Sequence, residues 1–302
     1  MRFRVGTSGW NYPTGKGTWN GIFYPLPEDR ERGFDELRFY SERFNTVEVN
    51  STFYGQPRPN VTLGWVRRTP DDFDFSIKLY QKFTHPGMAT DPGPVTQADV
   101  DAFKGGIDPL AAAGRLGLLL AQFPPGFQRA PEAEDYLGWL LRTFSGYSLA
   151  VELRHRSWSD EPAATLARLD AHGAVWVQID EPKFESSIRQ ELRPNGTELF
   201  YLRCHGRNAA GWWDHDVAED RYNYLYSAAE LASLAHKARE ARAVVKKAYL
   251  YMNNHFSAQS VANAVTLRKM LDEPVTARLP VELIERFPDL AGVPTLPRAR
   301  LL

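Results

Sequence analysis

Hydrophobic and polar positions along this chain follow one order: a short β-rich run, a loop, then an amphipathic stretch. The order recurs eight times without any repeat of the sequence itself. The runs span residues 3–7, 46–50, 73–79, 116–123, 149–153, 174–180, 199–204 and 248–252, and are rich in Val, Ile, Leu, Phe and Tyr, as strands are. Between them, residues 34–44 place Phe34, Leu37, Tyr40, Ser41 and Phe44 on one helical stripe. Helices are also predicted over 96–113, 131–144, 160–172, 227–242 and 257–271. Their starts carry Thr96, Pro131, Ser227 and Ser257, and Gly173 follows the fourth stretch. Residues 59–67 give a weaker helical pattern. Residues 181–198, with Pro194-Asn195-Gly196, read mostly as loop. Strands alternating with helices imply right-handed βαβ units and a parallel sheet. Eight such units predict a (β/α)8 TIM barrel, one domain over 1–302, with long βα loops and a C-terminal tail after Leu271 that holds a short helix near 281–287. An open doubly wound sheet calls for a G-x-G-x-x-G turn after the first strand, and Gly6-Thr7-Ser8-Gly9-Trp10 lacks that pattern.

Alternate side chains of a strand face opposite ways, and in a barrel one set meets the helices while the other fills the interior. Glu48 and Asn50 oppose Val47 and Val49; Ser76 and Lys78 oppose Phe75, Ile77 and Leu79; Glu152 and Arg154 oppose Val151 and Leu153. Gln178 and Asp180 oppose Val177 and Ile179; Arg203 and His205 oppose Leu202 and Cys204; Tyr251 and Asn253 oppose Leu250 and Met252. The apolar set is assigned to the helices and the polar set to the interior. Isolated buried charge costs several kcal/mol. Glu48, Lys78, Glu152, Arg154, Asp180, His205 and Asn253 are therefore predicted to converge on one cavity at the strands' C-terminal ends, where barrel active sites lie. The alternative is a set of interior ion pairs that only ties the barrel together.

Composition adds little that changes this. With 43% hydrophobic and 24% charged residues the chain is ordinary globular protein. The net charge of −1 gives no general footprint for nucleic acid or an anionic membrane. Trp212-Trp213 and the basic stretch 237–247 keep a nucleic-acid partner open, although that stretch reads better as a solvated helix face. The single cysteine, Cys204, leaves no internal disulfide and no multi-thiolate metal site. Neither an apolar leader segment nor an apolar run long enough to span a membrane is present, so a cytoplasmic location is expected.

Several motifs together are similar to the YecE-like group, domain of unknown function 72. They are Gly6-Thr7-Ser8-Gly9-Trp10 with Tyr12, Trp19 through Phe23-Tyr24-Pro25, and Thr46-Val47-Glu48-Val49-Asn50-Ser51-Thr52-Phe53-Tyr54. Others are Phe75-Ser76-Ile77-Lys78 with Thr84-His85, Gln122-Phe123-Pro124-Pro125, and Val151-Glu152-Leu153-Arg154-His155 with Trp158. Arg203-Cys204-His205-Gly206-Arg207 and Tyr251-Met252-Asn253-Asn254 complete the set. The resemblance covers nearly the whole chain and implies a TIM barrel without an established activity. The group's seventh-strand motif reads Arg-Leu-His-Gly. Cys204 departs from it at a helix-facing position, so a catalytic thiol is not expected.

Three chemistries fit these residues. Paired carboxylates among Glu48, Glu152 and Asp180 suit glycoside hydrolysis, although the fourth strand ends in Gln122 rather than an Asn-Glu pair. A divalent metal on Glu48, Glu152, Asp180 and His205 suits a hydrolase or isomerase, against which Lys78, Arg154 and Arg207 crowd the same rim. The preferred reading has no metal or cofactor. Lys78, Arg154, His155, His205 and Arg207 clamp an anionic group of a nucleotide or sugar phosphate, and Glu48 or Glu152 acts as base. On that reading Glu48, Lys78, Glu152, Asp180 and His205 are the catalytic candidates. Trp10, Tyr12, Asn50, Tyr54, Gln122, Arg154, His155, Arg207, Asn253 and Asn254 are the candidates for binding a small anionic ligand. A non-catalytic ligand-binding or regulatory protein on the same scaffold is the rival class. His85, His215 and His255, with Asp214-His215-Asp216, read as loop residues. The sequence shows no nucleophile-elbow motif and no sign of oligomeric state.

Overall fold

The computed structural model describes residues 3–89, 93–212 and 218–297; Trp213 and Asp214-His215-Asp216 lie outside the described residues. Among the described residues the strand segments are β1 (Phe3–Thr7), β2 (Thr46–Val49), β3 (Asp74–Lys78), β4 (Leu116–Gln122), β5 (Leu149–Glu152), β6 (Val175–Trp176), β7 (Gln178–Asp180), β8 (Leu199–Cys204) and β9 (Lys247–Met252). The pairings between these strands are parallel. One sheet runs β2-β3-β4-β5-β6 and the other β1-β9-β8-β7. The strand order is that of a TIM-barrel-type α/β fold. The sheets approach at one edge through a bridge between Ser8 and Glu48, where the Gly9 N–H donates to the Glu48 carbonyl at 2.7 Å.

The sixth run differs from the uninterrupted strand predicted over 174–180. It breaks at Val177, and its halves join different sheets. The cause lies in the loop that follows. Asn195 accepts from the Trp176 N–H at 2.8 Å, and the Gln190 amide bonds both the Val177 carbonyl, at 2.8 Å, and the Ile179 N–H, at 3.1 Å. These side chains satisfy backbone groups that a continuous ladder would otherwise satisfy.

The helices cover the outer faces and start where cap chemistry places them. Thr96 and Asp99 form a capping box on Gln97–Ala112, and Ser227 and Glu230 form another on Ala228–Arg242. Asp35 accepts from the Arg38 N–H on the short helix Glu36–Ser41. Pro131–Thr143, Pro162–Asp170 and Gln259–Met270 complete the long helices outside the sheets, together with Pro59–Arg68. Beneath them Val47, Val49, Phe75, Ile77, Val151 and Leu202 are fully buried. Each such side chain contributes roughly 1.5–3 kcal/mol over exposure. The tail carries a helix at Val281–Arg286 and is held by Leu279, whose backbone bonds Pro294 and Leu296. Among the described residues no helix is long and apolar enough to cross a membrane.

The interior begins with a tyrosine floor. Tyr249 and Tyr251 of β9 stack at 6.1 Å, and Tyr201 of β8 lies 5.3 Å from Tyr251. Their hydroxyls cross to the facing strands. Tyr249 donates to Asp74 at 3.0 Å, and Tyr251 meets Ser76 at 2.9 Å and Thr46 at 2.5 Å. Gly117 permits this layer, because a Cβ there would stand 2.6 Å from the Tyr249 hydroxyl.

Candidate functional site: a charged layer under an open pocket

Directly above the tyrosines lies a layer of paired charge. Arg203 of β8 donates through Nε to Glu48 Oε2 at 2.9 Å and through Nη2 to Glu48 Oε1 at 2.7 Å. Its third nitrogen donates to Glu152 of β5 at 2.5 Å and to Gln122 of β4 at 3.2 Å. Tyr201 donates to Glu48 at 2.6 Å. Arg154 takes the other Glu152 oxygen at 2.7 Å and lies 3.5 Å from Glu181. Burial alone raises a carboxylate's pKa, but Arg203 and Arg154 outweigh it and hold the Glu152 carboxyl well below its usual range. Burial pushes the Glu181 carboxyl up, and Arg154 only partly opposes this.

His205 is fully buried beside the layer. An Arg154 N–H approaches its Nε2 at 3.2 Å, and the Asn253 amide lies 2.8 Å from its Nδ1. Arginine only donates, so the Arg154 N–H points at a lone pair on Nε2. Burial, reinforced by Arg203 and Arg154, lowers its pKa to about 3 and keeps the ring neutral.

A cavity of about 640 Å³ opens over this layer. Its lining comes from chain segments just past the strands' C-terminal ends: Gly9 to Pro13 after β1, Asn50, Ser51 and Tyr54 after β2, and Asn253 and His255 after β9. Lys78, Gln122 and Arg203 form its base, and Tyr222 closes one side. Gly9 turns the chain here at φ 96°, where a Cβ would meet the Tyr12 hydroxyl at 2.8 Å. Tyr12 stacks on His255 at 4.2 Å, Trp10 meets Trp65 edge-on, and Tyr54 stands 71% exposed at the rim. Ser257 and Ala258, both at positive φ, follow His255, whose carbonyl is held by the Trp19 indole at 2.7 Å. Such backbone strain persists only where its surroundings over-determine it.

Lys78 is the exception among these charges. It is nearly buried at the pocket's base and has no carboxylate partner among the described residues. Its ammonium sits 3.9 Å over the Phe53 ring. Burial first, and Arg203 next, lower its pKa to about 7, although Glu152 and Glu48 pull the other way. Asn50 also faces the cavity with an unpartnered buried Oδ1.

The predicted convergence holds in part. Glu48, Glu152, Arg154, His205 and Asn253 meet in the charged layer, and Lys78, Gln122, Asn50, Trp10, Tyr12 and Tyr54 line the pocket above it. Asp180 is a correction. Register pairs it with Cys204 and pairs Ile179 with Arg203, so in the sixth strand the polar set faces outward. Its carboxylate receives Arg207 at 2.6 and 2.9 Å and the Tyr226 hydroxyl at 2.7 Å. Arg207 is thereby occupied, with Glu230 as a further partner at 3.0 Å. His155 bonds Ser157, and Asn254 bonds Tyr224 and Asn263, so neither lines the cavity. Of the five side chains expected to clamp an anion, Lys78 lines this cavity and Arg154, His155, His205 and Arg207 do not. His85 and His255 lie in loops, as expected; His85 is buried against Phe53, and His255 walls the pocket.

Sequence pattern undervalued Arg203, which it placed inward but left out of the candidate set. It missed Glu181, which follows the outward Asp180 and by alternation turns inward. Cys204 is buried, and burial pushes its thiol up. A metal does not fit: among the described residues no three His, Cys, Asp or Glu side chains are gathered to hold one, and the oxygens of Glu48 and Glu152 are taken by arginine. A second hollow, about 430 Å³, has its Arg129 already paired with Glu134 and Glu161.

The family model described as "Protein of unknown function DUF72" matches residues 4–284. The chain belongs to this family. The UPF0759 protein YunF of Bacillus subtilis is 30% identical over 287 residues, covering 92% of this chain and 98% of that protein. The UPF0759 protein YecE of Escherichia coli K12 is 32% identical over 152 residues, 49% of this chain and 53% of its own. A DUF72 family crystal structure from Thermotoga maritima superposes with a TM-score of 0.74 at 34% identity, covering 90% of this chain and all of that one. One from Enterococcus faecalis gives 0.78 at 23% identity over 90% and 96% of the two chains, a likeness of fold.

Proposed function

We propose that this DUF72 member is an enzyme acting on a small, ring-bearing molecule with one anionic group, such as a sugar phosphate or nucleotide, bound at the strands' C-terminal ends. One observation carries this reading: the pocket's base presents a cation, Lys78, that no carboxylate among the described residues pairs. In a solely structural interior that ammonium would be paired, because burying it unpaired is costly. The paired layer beneath supplies a fixed field and rigid support, a function preorganised sites require. Trp10, Tyr12, Tyr54 and Tyr222 offer ring faces for stacking, and Asn50, Gln122 and Asn253 offer amides to hydroxyl groups.

Inorganic phosphate and a nucleoside monophosphate, titrated calorimetrically against the protein and Lys78→Met, test the reading. Binding of the monophosphate that weakens at least tenfold in Lys78→Met supports it. Equal binding by both proteins overturns it. A non-catalytic binding protein would show the same affinity loss, and only a product assay over a panel of sugar phosphates separates the two classes.

A further inference from the structure

Resting on that reading, we propose that Lys78 is also a nucleophile, its amine condensing with an aldehyde or ketone group of the ligand to form an iminium bond. Lys183 is also lowered by burial, but it donates to the Ile179 carbonyl at 3.4 Å and does not line the pocket, and four other lysines pair with carboxylates. Lys82 pairs with Asp99 at 3.0 Å, Lys237 with Glu240 at 3.0 Å, Lys246 with Glu198 at 2.6 Å and Lys247 with Asp74 at 3.2 Å. Lys78 instead lies over an aromatic face at the base of an open cavity, with the Arg203 guanidinium at the same base. Desolvation and a neighbouring cation are the two devices that free a lysine for nucleophilic work. With its pKa near 7, about half of Lys78 is free amine at neutral pH. An ordinary lysine offers less than about one part in a thousand.

The chemistry balances within the pocket. The ammonium gives up a proton, and the nitrogen lone pair attacks the carbonyl carbon while the C=O π pair moves onto oxygen. A proton passes from nitrogen to that oxygen, the released proton returns to it, and water leaves as the C=N bond forms. Ammonium plus carbonyl becomes iminium plus water, with one positive charge on each side. The charge that attracts the ligand's anionic group therefore survives the condensation. The ligand class is a small oxo compound bearing one carboxylate or phosphate.

The test uses the full chain with pyridoxal 5′-phosphate, an anionic ring-bearing aldehyde, and borohydride, whose hydride adds to the iminium carbon and fixes the adduct. Peptide mapping should find Lys78 modified at least roughly tenfold faster than exposed Lys246 at neutral pH, as its free-amine fraction requires. Lys78→Arg keeps the charge but cannot condense, and should lose the fast adduct while melting near the parent temperature. Lys78 recovered unmodified while Lys246 is labelled overturns the proposal. That result together with Lys78-dependent phosphate binding overturns the nucleophile alone. A fast Lys78 adduct that phosphate neither slows nor displaces supports the nucleophile and removes the anion site.

Discussion

Two adjacent regions of this interior hold the same kinds of residue in opposite states. In the lower layer Glu48, Glu152, Arg203 and Arg154 satisfy one another, with Tyr201 and Gln122 completing the bonds. In the pocket above, Lys78 has no carboxylate and Asn50 Oδ1 no donor among the described residues. Inward polarity alone therefore does not mark a site. Paired inward charge is structure. Unpaired inward charge beside a cavity is where the proposed ligand would bind.

The comparison gives opposite signs for two substitutions barely a layer apart. Arg203→Met leaves two buried carboxylates without their shared cation and should destabilise the protein by about 3–5 kcal/mol in urea titrations. A loss under about 1 kcal/mol would break the distinction from that side.

Lys78→Met should instead stabilise. An unfolded lysine keeps its proton to about pH 10.4, whereas folded Lys78 releases it near 7. Between those values the unfolded chain binds the extra proton, so stability rises with pH there, and the whole penalty stands below pH 7. The variant should gain roughly 4–5 kcal/mol near pH 6, and the gain should fade toward pH 10. A pH-independent loss of stability would place Lys78 with the paired layer.

Asp180→Asn should cost about 1–2 kcal/mol, because Arg207 and Tyr226 lose a charged acceptor, yet leave ligand binding unchanged. Impaired binding without a stability change would return Asp180 to the pocket. Tyr54→Ala sharpens the rim. At 71% exposure its stability effect should stay within about 0.5 kcal/mol, while nucleotide affinity should fall several-fold through lost stacking, read by calorimetry.

How far the sequence reached differs by strand. For β2, β3, β5, β8 and β9 the polar-inward assignment holds, because helices outside demanded Val47, Ile77, Val151, Leu202 and Leu250. In the sixth strand Gln178 and Asp180 face outward instead. There Tyr226, Arg207 and the amides of Gln190 and Asn195 supply polar partners outside the sheet, and no alternation in the sequence announces them.

Periodicity and capping chemistry by themselves determined the eight β-rich runs, the main helices and the fold class, since those depend on local backbone preference and on which face each element buries. Tertiary structure alone decided which charges neutralise each other. Pairing turns on ångström-scale distances between strands far apart in the chain: Arg203 reaches Glu48 across 155 positions and Glu152 across 51. That reach occupies two carboxylates and leaves Lys78, of the same inward parity, unmatched at the pocket's base.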